Sequence, residues 1–184
     1  MIADTQSRAT TKGTSPTDWR YPLHYRSEVD VDIDAHTLFA HLDDHKRLAS
    51  HMEKPSLMMG GATMRVETDA LRGQAVGSLI RVTGRVLGMK LAVKEVVTEH
   101  VPPWRKIWET CGEPRLLVIG SYRMGFTISP RGRFSRLVVF IDYRLPSRGI
   151  AHGLGLVFGR AYASWCTRRM ATDAMAAISG VDAP

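Results

Sequence analysis

The stretch GIAHGLGLVFGRAYASWCTRRMATDAMAAIS, residues 149–179, stands directly behind FSRLVVFIDYRL, residues 134–145. In the second segment Leu137, Val139, Ile141, Tyr143 and Leu145 share one parity, while Arg136, Asp142 and Arg144 fall on the other, the signature of a half-buried strand. Pro146 stops that strand, Ser147 can cap a helix and Gly180 can end it, so one long helix is expected over Gly149 to Ser179. A run of strands closed by a single long helix predicts a curved sheet gripping that helix around an apolar cavity. On a projection of about 100° per residue, Leu154, Phe158, Ala161, Trp165, Thr172 and Ala176 form one stripe, with Val157, Tyr162 and Arg168 at its margins. This stripe is expected to lie across the sheet, leaving Leu156, Ala163 and Met170 on the opposite face.

Working back toward the N-terminus, the stretch Leu116 to Ile128 carries no charge on the parity of Leu116, Val118, Gly120, Tyr122, Met124, Phe126 and Ile128, which predicts a buried or pocket-lining face. Trp104 and Trp108 share a face of the preceding strand, and Pro114 closes the hairpin between them. From Met89 to Glu99 one parity reads Met89, Leu91, Val93, Glu95, Val97, Glu99, so Glu95 interrupts an apolar face. Shorter strands are expected at about Ala62 to Thr68 and Ser78 to Val86, with a tight turn at Leu87 and Gly88. Leu23, Tyr25, Val29, Val31 and Ile33 alternate with polar residues as a first strand. Asp34 can cap a short helix carrying Leu38, Phe39 and Leu42, and Asp43 or Asp44 can cap a second one carrying Leu48 and Met52.

The chain has 184 residues, 44% hydrophobic and 23% charged, which suits one domain with a sizeable core. Residues 1–20, rich in Thr, Ser, Gly and Ala around Met1 to Asp18, are expected to be a disordered lead-in to a single domain over 21–180. They lack the apolar core of a secretion signal, so the expected compartment is the cytoplasm. Apolar runs such as Leu116 to Ile119 and Leu137 to Ile141 are strand-sized, so no stable membrane insertion is expected. The net charge of +7 is dispersed apart from Arg131, Arg133 and Arg136 at a hairpin tip, and no basic helix interleaved with aromatics marks a nucleic-acid partner. Cys111 and Cys166 lack metal-ligand spacing and read as small buried hydrophobes.

The order strand, two short helices, six strands, long helix resembles the START-related superfamily often called SRPBCC. The likeness covers about Tyr21 to Ile178. The local segments that carry it are Val31-Asp32-Ile33-Asp34-Ala35-His36-Thr37-Leu38-Phe39, Val76-Gly77-Ser78, Lys94-Glu95-Val96-Val97 with Pro102-Pro103, and Asp142-Tyr143-Arg144-Leu145-Pro146. The resemblance implies an α+β helix-grip fold, a curved antiparallel sheet of about seven strands around a long C-terminal helix, with two short helices after strand one. It implies an apolar cavity and carries over no catalytic residue.

Candidate chemistry therefore rests on polar groups of the cavity-side parity. Glu95, set in an apolar face, is a candidate general acid or base, with a buried structural partner such as Arg81, Arg85 or Arg168 as its other reading. Tyr122 and Tyr143 can donate phenolic hydrogen bonds. The expected ligand wall comprises Trp108, Met124, Phe126, Val139, Ile141, Leu154, Phe158, Tyr162 and Trp165, with Arg168 able to hold an acidic head group. His36, His41, His45 and His51 cluster locally, but without the Glu of a HExxH motif they are read as ordinary surface or hydrogen-bonded histidines, with no metal. Gly153-Leu154-Gly155 lies inside the helix without the third glycine of a dinucleotide fingerprint, and no cofactor is expected. Three readings follow: a binder or carrier of a hydrophobic small molecule such as a lipid, isoprenoid quinone or polyketide; a cofactor-independent cyclase, aromatase or dehydratase using Glu95 and the tyrosines; and an interaction module, a homodimer through Leu156, Ala163 and Met170.

Overall fold

Among the described residues seven antiparallel strands form one sheet, in the spatial order Leu23–Val31, Phe134–Tyr143, Tyr122–Arg131, Arg105–Thr110, Met89–Val101, Leu79–Val86, Met64–Thr68, with the long helix packed against the first two. The computed structural model describes residues 20–48, 64–86 and 88–178. The expectations for residues 1–19, for Met52, His51 and the Pro55 to Gly61 break, and for the end at Ser179 and Gly180 lie outside that set. The strands are β1 Leu23–Val31, β2 Met64–Thr68, β3 Leu79–Val86, β4 Met89–Val101, β5 Arg105–Thr110, β6 Tyr122–Arg131 and β7 Phe134–Tyr143. The helices are α1 Ala35–Asp43, α2 His45–Leu48 and α3 Gly149–Ile178. Asp34 caps α1 as its sequence position predicts, its Oδ1 accepting from the backbone N–H groups of His36 and Thr37.

The alternation of β7 is realised without a slip: Ser135, Leu137, Val139, Ile141 and Tyr143 are buried, and each intervening residue is partly exposed. β4 departs from strict alternation. A bulge between Val97 and Glu99 shifts the register, so that Val97 faces Trp108 while His100, and no longer Glu99, faces Lys106. Residues 116–121, expected as strand, form a loop that is joined to β4 by the bridge Ala92–Arg115. Gly120 there lies so close to the carbonyl oxygens of Leu145 and Arg144 that a Cβ would sit 3.0 and 3.1 Å from them, a contact that ordinary strand side chains do not allow.

The helix α3 is rotated relative to the hydrophobic stripe. Its buried side is Gly155, Gly159, Ala163, Cys166, Thr167, Met170, Ala171 and Ala174, whereas Phe158 is 51% exposed, and Ala161, Arg168 and Thr172 face solvent. Ala163 and Met170, expected on the free side, are buried at 0% and 3%. Close approach explains the reversal. A Cβ at Gly159 would lie 3.0 Å from Leu145 Cδ2 and 3.1 Å from the Val118 carbonyl, and one at Gly155 would lie 3.0 Å from Pro146 Cδ and from the same carbonyl. Small residues let the helix backbone seat on the sheet margin, and the larger apolar side chains cannot occupy that gap.

The first helix is held differently. Lys106 points from β5 into the interior, is fully buried, and donates from Nζ to the Asp43 carbonyl at 2.7 Å and to Asp43 Oδ1 at 2.9 Å. His100 Nε2 lies 2.9 Å from the same Oδ1. An ammonium at a helix C-terminus offsets the orphan carbonyls and the helix dipole, and the carboxylate neutralises it. Burial draws the Lys106 pKa below the ordinary lysine value, against the upward pull of Asp43.

Two stability measurements follow from this packing. In urea titrations, Gly153→Ala, at a helical glycine with nothing within 4 Å of its Cβ position, stabilises by about 1 kcal/mol, whereas Gly159→Ala destabilises despite the same gain in propensity. Lys106→Met, which takes the ammonium away from both the Asp43 carbonyl and its carboxylate, lowers the unfolding free energy by about 3 kcal/mol.

Candidate functional site

Between the concave face and α3 lies a cavity of about 40 Å³, room for one to a few water molecules. Its apolar wall includes Met64, Val82, Val93, Met124, Ile141 and Met170, and its polar head is Glu95, Tyr122 and His45. Glu95 projects inward from β4, opposite Ile80 of β3 and Thr110 of β5. Tyr122 opens β6, where its backbone N–H donates to Thr110 Oγ1 at 3.0 Å. Its phenol donates a short hydrogen bond to Glu95 Oε1. The other carboxylate oxygen, Oε2, stands 3.6 Å from His45 Nε2.

His45 reaches this place because α2 begins there, immediately after the Asp43 that Lys106 clamps. Its ring meets Trp108 edge-on at 5.0 Å between centroids. Gly73, at a φ of +77°, brings the β2–β3 loop against the histidine's Cβ, where an added Cβ would lie 3.1 Å away. The histidine is 3% exposed, and its Nδ1, like Glu95 Oε2, has no hydrogen-bond partner. Two unpartnered polar atoms in an apolar interior are expensive. Both residues line the cavity, and a guest with a donor for the carboxylate oxygen would satisfy one of them.

The protonation states follow from burial. Burial and then the negative charge of Glu95 push the Tyr122 phenol well above the ordinary tyrosine value, so it remains a neutral donor. Burial likewise raises Tyr162, and it pushes the Cys166 thiol up to about 12, with Glu95 adding to the shift. The site thus offers one carboxyl group, one imidazole and neutral hydroxyl and thiol groups around a small apolar chamber.

Of the residues singled out in the sequence, Glu95, Tyr122, Trp108, Met124, Ile141 and Tyr162 meet at the cavity. Phe126 and Val139 are fully buried, with Phe126 packing edge-on to Phe39 at 5.6 Å. Tyr143 lies beneath α3 beside Gly159, its phenol raised by burial. Leu154 is half-buried and Phe158 exposed, Trp165 rests against the Tyr162 ring at 6.0 Å, and Arg168 is exposed near the Tyr25 hydroxyl. Glu95 has none of the expected arginines as its partner among the described contacts; Tyr122 and His45 take that place. In the sequence His45 belongs to a local histidine cluster, and fifty positions separate it from Glu95, so no spacing signals the pair. The cluster disperses: His36 lies near Trp104 at 6.3 Å, and burial lowers the His41 pKa. Among the described residues no group of three His, Cys, Asp or Glu could hold a metal ion.

The sequence matches no family model and no curated protein. Solved structures do match. Protein TTHA0849 from Thermus thermophilus aligns with a TM-score of 0.61 at 13% identity, over 86% of this chain and 98% of its own. The Zhui aromatase/cyclase from Streptomyces sp. R1128 aligns at 0.58 and 16% identity, over 86% and 92%. Norcoclaurine synthase from Thalictrum flavum, solved with dopamine and hydroxybenzaldehyde, aligns at 0.59 and 14% identity, over 95% and 96%. At such identities the likeness is one of architecture, and the chain has the helix-grip fold that the resemblance to the START-related superfamily implies.

Proposed function

We propose that the chain binds a hydrophobic small molecule carrying a hydroxyl or carbonyl group, in the cavity between the sheet and α3, with the polar group at Glu95, Tyr122 and His45. The observation that carries this reading is a pair of buried atoms without a hydrogen bond, Glu95 Oε2 and His45 Nδ1, in two residues at the polar head of an otherwise apolar chamber. A core selected only for stability has no use for them. At about 40 Å³ the chamber is smaller than a drug-sized ligand site. Met64, Met124 and Met170 in its wall are unbranched and can re-pack to admit a guest. Aromatase/cyclase and norcoclaurine synthase chemistry in similar folds agrees with a cavity of this kind.

A second reading, proton-transfer catalysis on such a guest, draws on the position of His45. An imidazole and a carboxyl group stand side by side there, His45 Nε2 3.6 Å from Glu95 Oε2, a pairing that can pass a proton and that the sequence alone did not reveal. Tyr122, neutral and already donating to Glu95, would orient the carboxyl group.

Native mass spectrometry of protein purified from its own host, followed by denaturing extraction, tests the binding reading. A retained lipid, quinone or polyketide supports it, and an empty protein that also fails to bind anilinonaphthalene sulfonate overturns it. With a ligand in hand, Glu95→Gln separates the two readings, since loss of turnover with binding retained marks catalysis. The double variant Glu95→Leu with Tyr122→Phe is expected to match or exceed the parent's stability, by about 1 kcal/mol, because apolar replacement of a buried polar pair is often neutral or favourable. Its ligand affinity should fall at least about tenfold. Cys166, buried and with its thiol pushed up to about 12 by that burial, should resist thiol reagents at a pH of about 8 while exposed Cys111 reacts; equal reactivity would show that the cavity is open to water.

A further inference from the structure

One end of the molecule combines exposed apolar side chains with cations. The loop over residues 111–121 sits at its centre, tied on one side to β4 through Ala92–Arg115 and on the other to α3, whose Gly155 and Gly159 rest on the Val118 carbonyl. Beside it project the β3–β4 turn, with Met89 46% exposed, and the first third of α3, with Ile150 85%, Leu156 66% and Val157 70% exposed. Ile150 and Val157 fall within one outward sector of the helix, with half-buried Leu154 between them.

Cations outnumber acids at this end. From Arg144 to Thr172 the sequence has five arginines and neither Asp nor Glu, and from Val82 to Lys94 it has Arg85, Lys90 and Lys94 with no acid. Arg85 and Lys90 are direct cross-strand partners, a like-charge pairing that destabilises a sheet by itself. Arg85, Lys90, Arg115, Arg144, Arg148 and Arg160 take part in none of the ion pairs among the described residues. Glu113 is the single acid of the loop.

We infer that this end docks on an anionic lipid surface. Apolar side chains on a helix flanked by arginines match the interfacial mode, in which the apolar residues enter the headgroup boundary and the cations meet lipid phosphates and carboxylates. A second copy of the chain would bring arginine against arginine, which charge disfavours. No helix among the described residues is long and apolar enough to cross a membrane, so the contact is peripheral. Leu116 and Ile119, from the central loop, also line the cavity, so docking would set the cavity beside the bilayer. The inference stands on the surface alone and does not require the cavity to hold a ligand.

Co-sedimentation of the full chain with vesicles tests it, using neutral phosphatidylcholine and phosphatidylcholine with about 30% phosphatidylserine. The chain should sediment with the anionic vesicles only, and release as salt rises from about 0.1 to about 0.5 M. Two paired variants at exposed positions, Ile150→Asp with Val157→Asp and Lys90→Glu with Arg148→Glu, should each lower vesicle affinity at least about tenfold without lowering the melting temperature. Absence of binding to anionic vesicles by the parent chain overturns the proposal. So does unchanged binding by the Ile150 and Val157 variant, which would mark diffuse adsorption by net charge. A dimer in light scattering that this variant converts to monomer would assign the face to a second copy and equally overturn it.

Discussion

A lysine ammonium sealed inside a protein must be surrounded by acceptors, and Lys106 finds them at the end of α1. The carbonyl and carboxylate of Asp43 receive it, and the β4 bulge turns His100 inward to share the same carboxylate oxygen. This clamp fixes where α1 ends, hence where α2 begins, hence where His45 stands. The imidazole beside Glu95 is therefore placed by an ion pair that does not touch the cavity. Stability and site are coupled through the short backbone step from Asp43 to His45.

The second constraint is the distance between α3 and the sheet. Gly155, Gly159 and Ala163 allow the helix to approach until backbone meets backbone, as the Val118 carbonyl shows. That approach leaves a small chamber and drives the bulky apolar residues of the first helical turns outward, where they meet the arginines. One packing choice thus sets both the size of the cavity and the apolar character of one end of the molecule. The methionines of the cavity wall then supply the compliance that a tightly seated helix withholds.

Glu95, Tyr122 and His45 break the rule that an interior either pairs its polar groups or avoids them. The phenol satisfies one carboxylate oxygen, and burial keeps that phenol protonated. The second oxygen and the imidazole Nδ1 have no hydrogen bond, in two residues that line the chamber. Local conflict of this kind, inside a core otherwise consistent at every level, is where physical reasoning locates function.

The architecture was legible because its signals are local. Alternation along β1 and β7, the Asp34 cap and the Pro146 break each depend on neighbours in sequence, and Glu95 stood out because a charge in an apolar parity is visible from the strand alone. Three things were not legible. The bulge in β4 changes parity without a sequence mark, so Glu99 and His100 exchanged faces. The orientation of α3 followed the smallest side chains, since close approach rewards small residues and a hydrophobicity stripe cannot weigh that against area. His45 met Glu95 only through the Lys106–Asp43 clamp, a contact across sixty-three residues. The sequence by itself determined which segments are strands and helices and which strand face is apolar, because those are set by residue periodicity. Tertiary structure alone decided which groups share the cavity and which helix face meets solvent, because backbone approach and long-range ion pairing have no period.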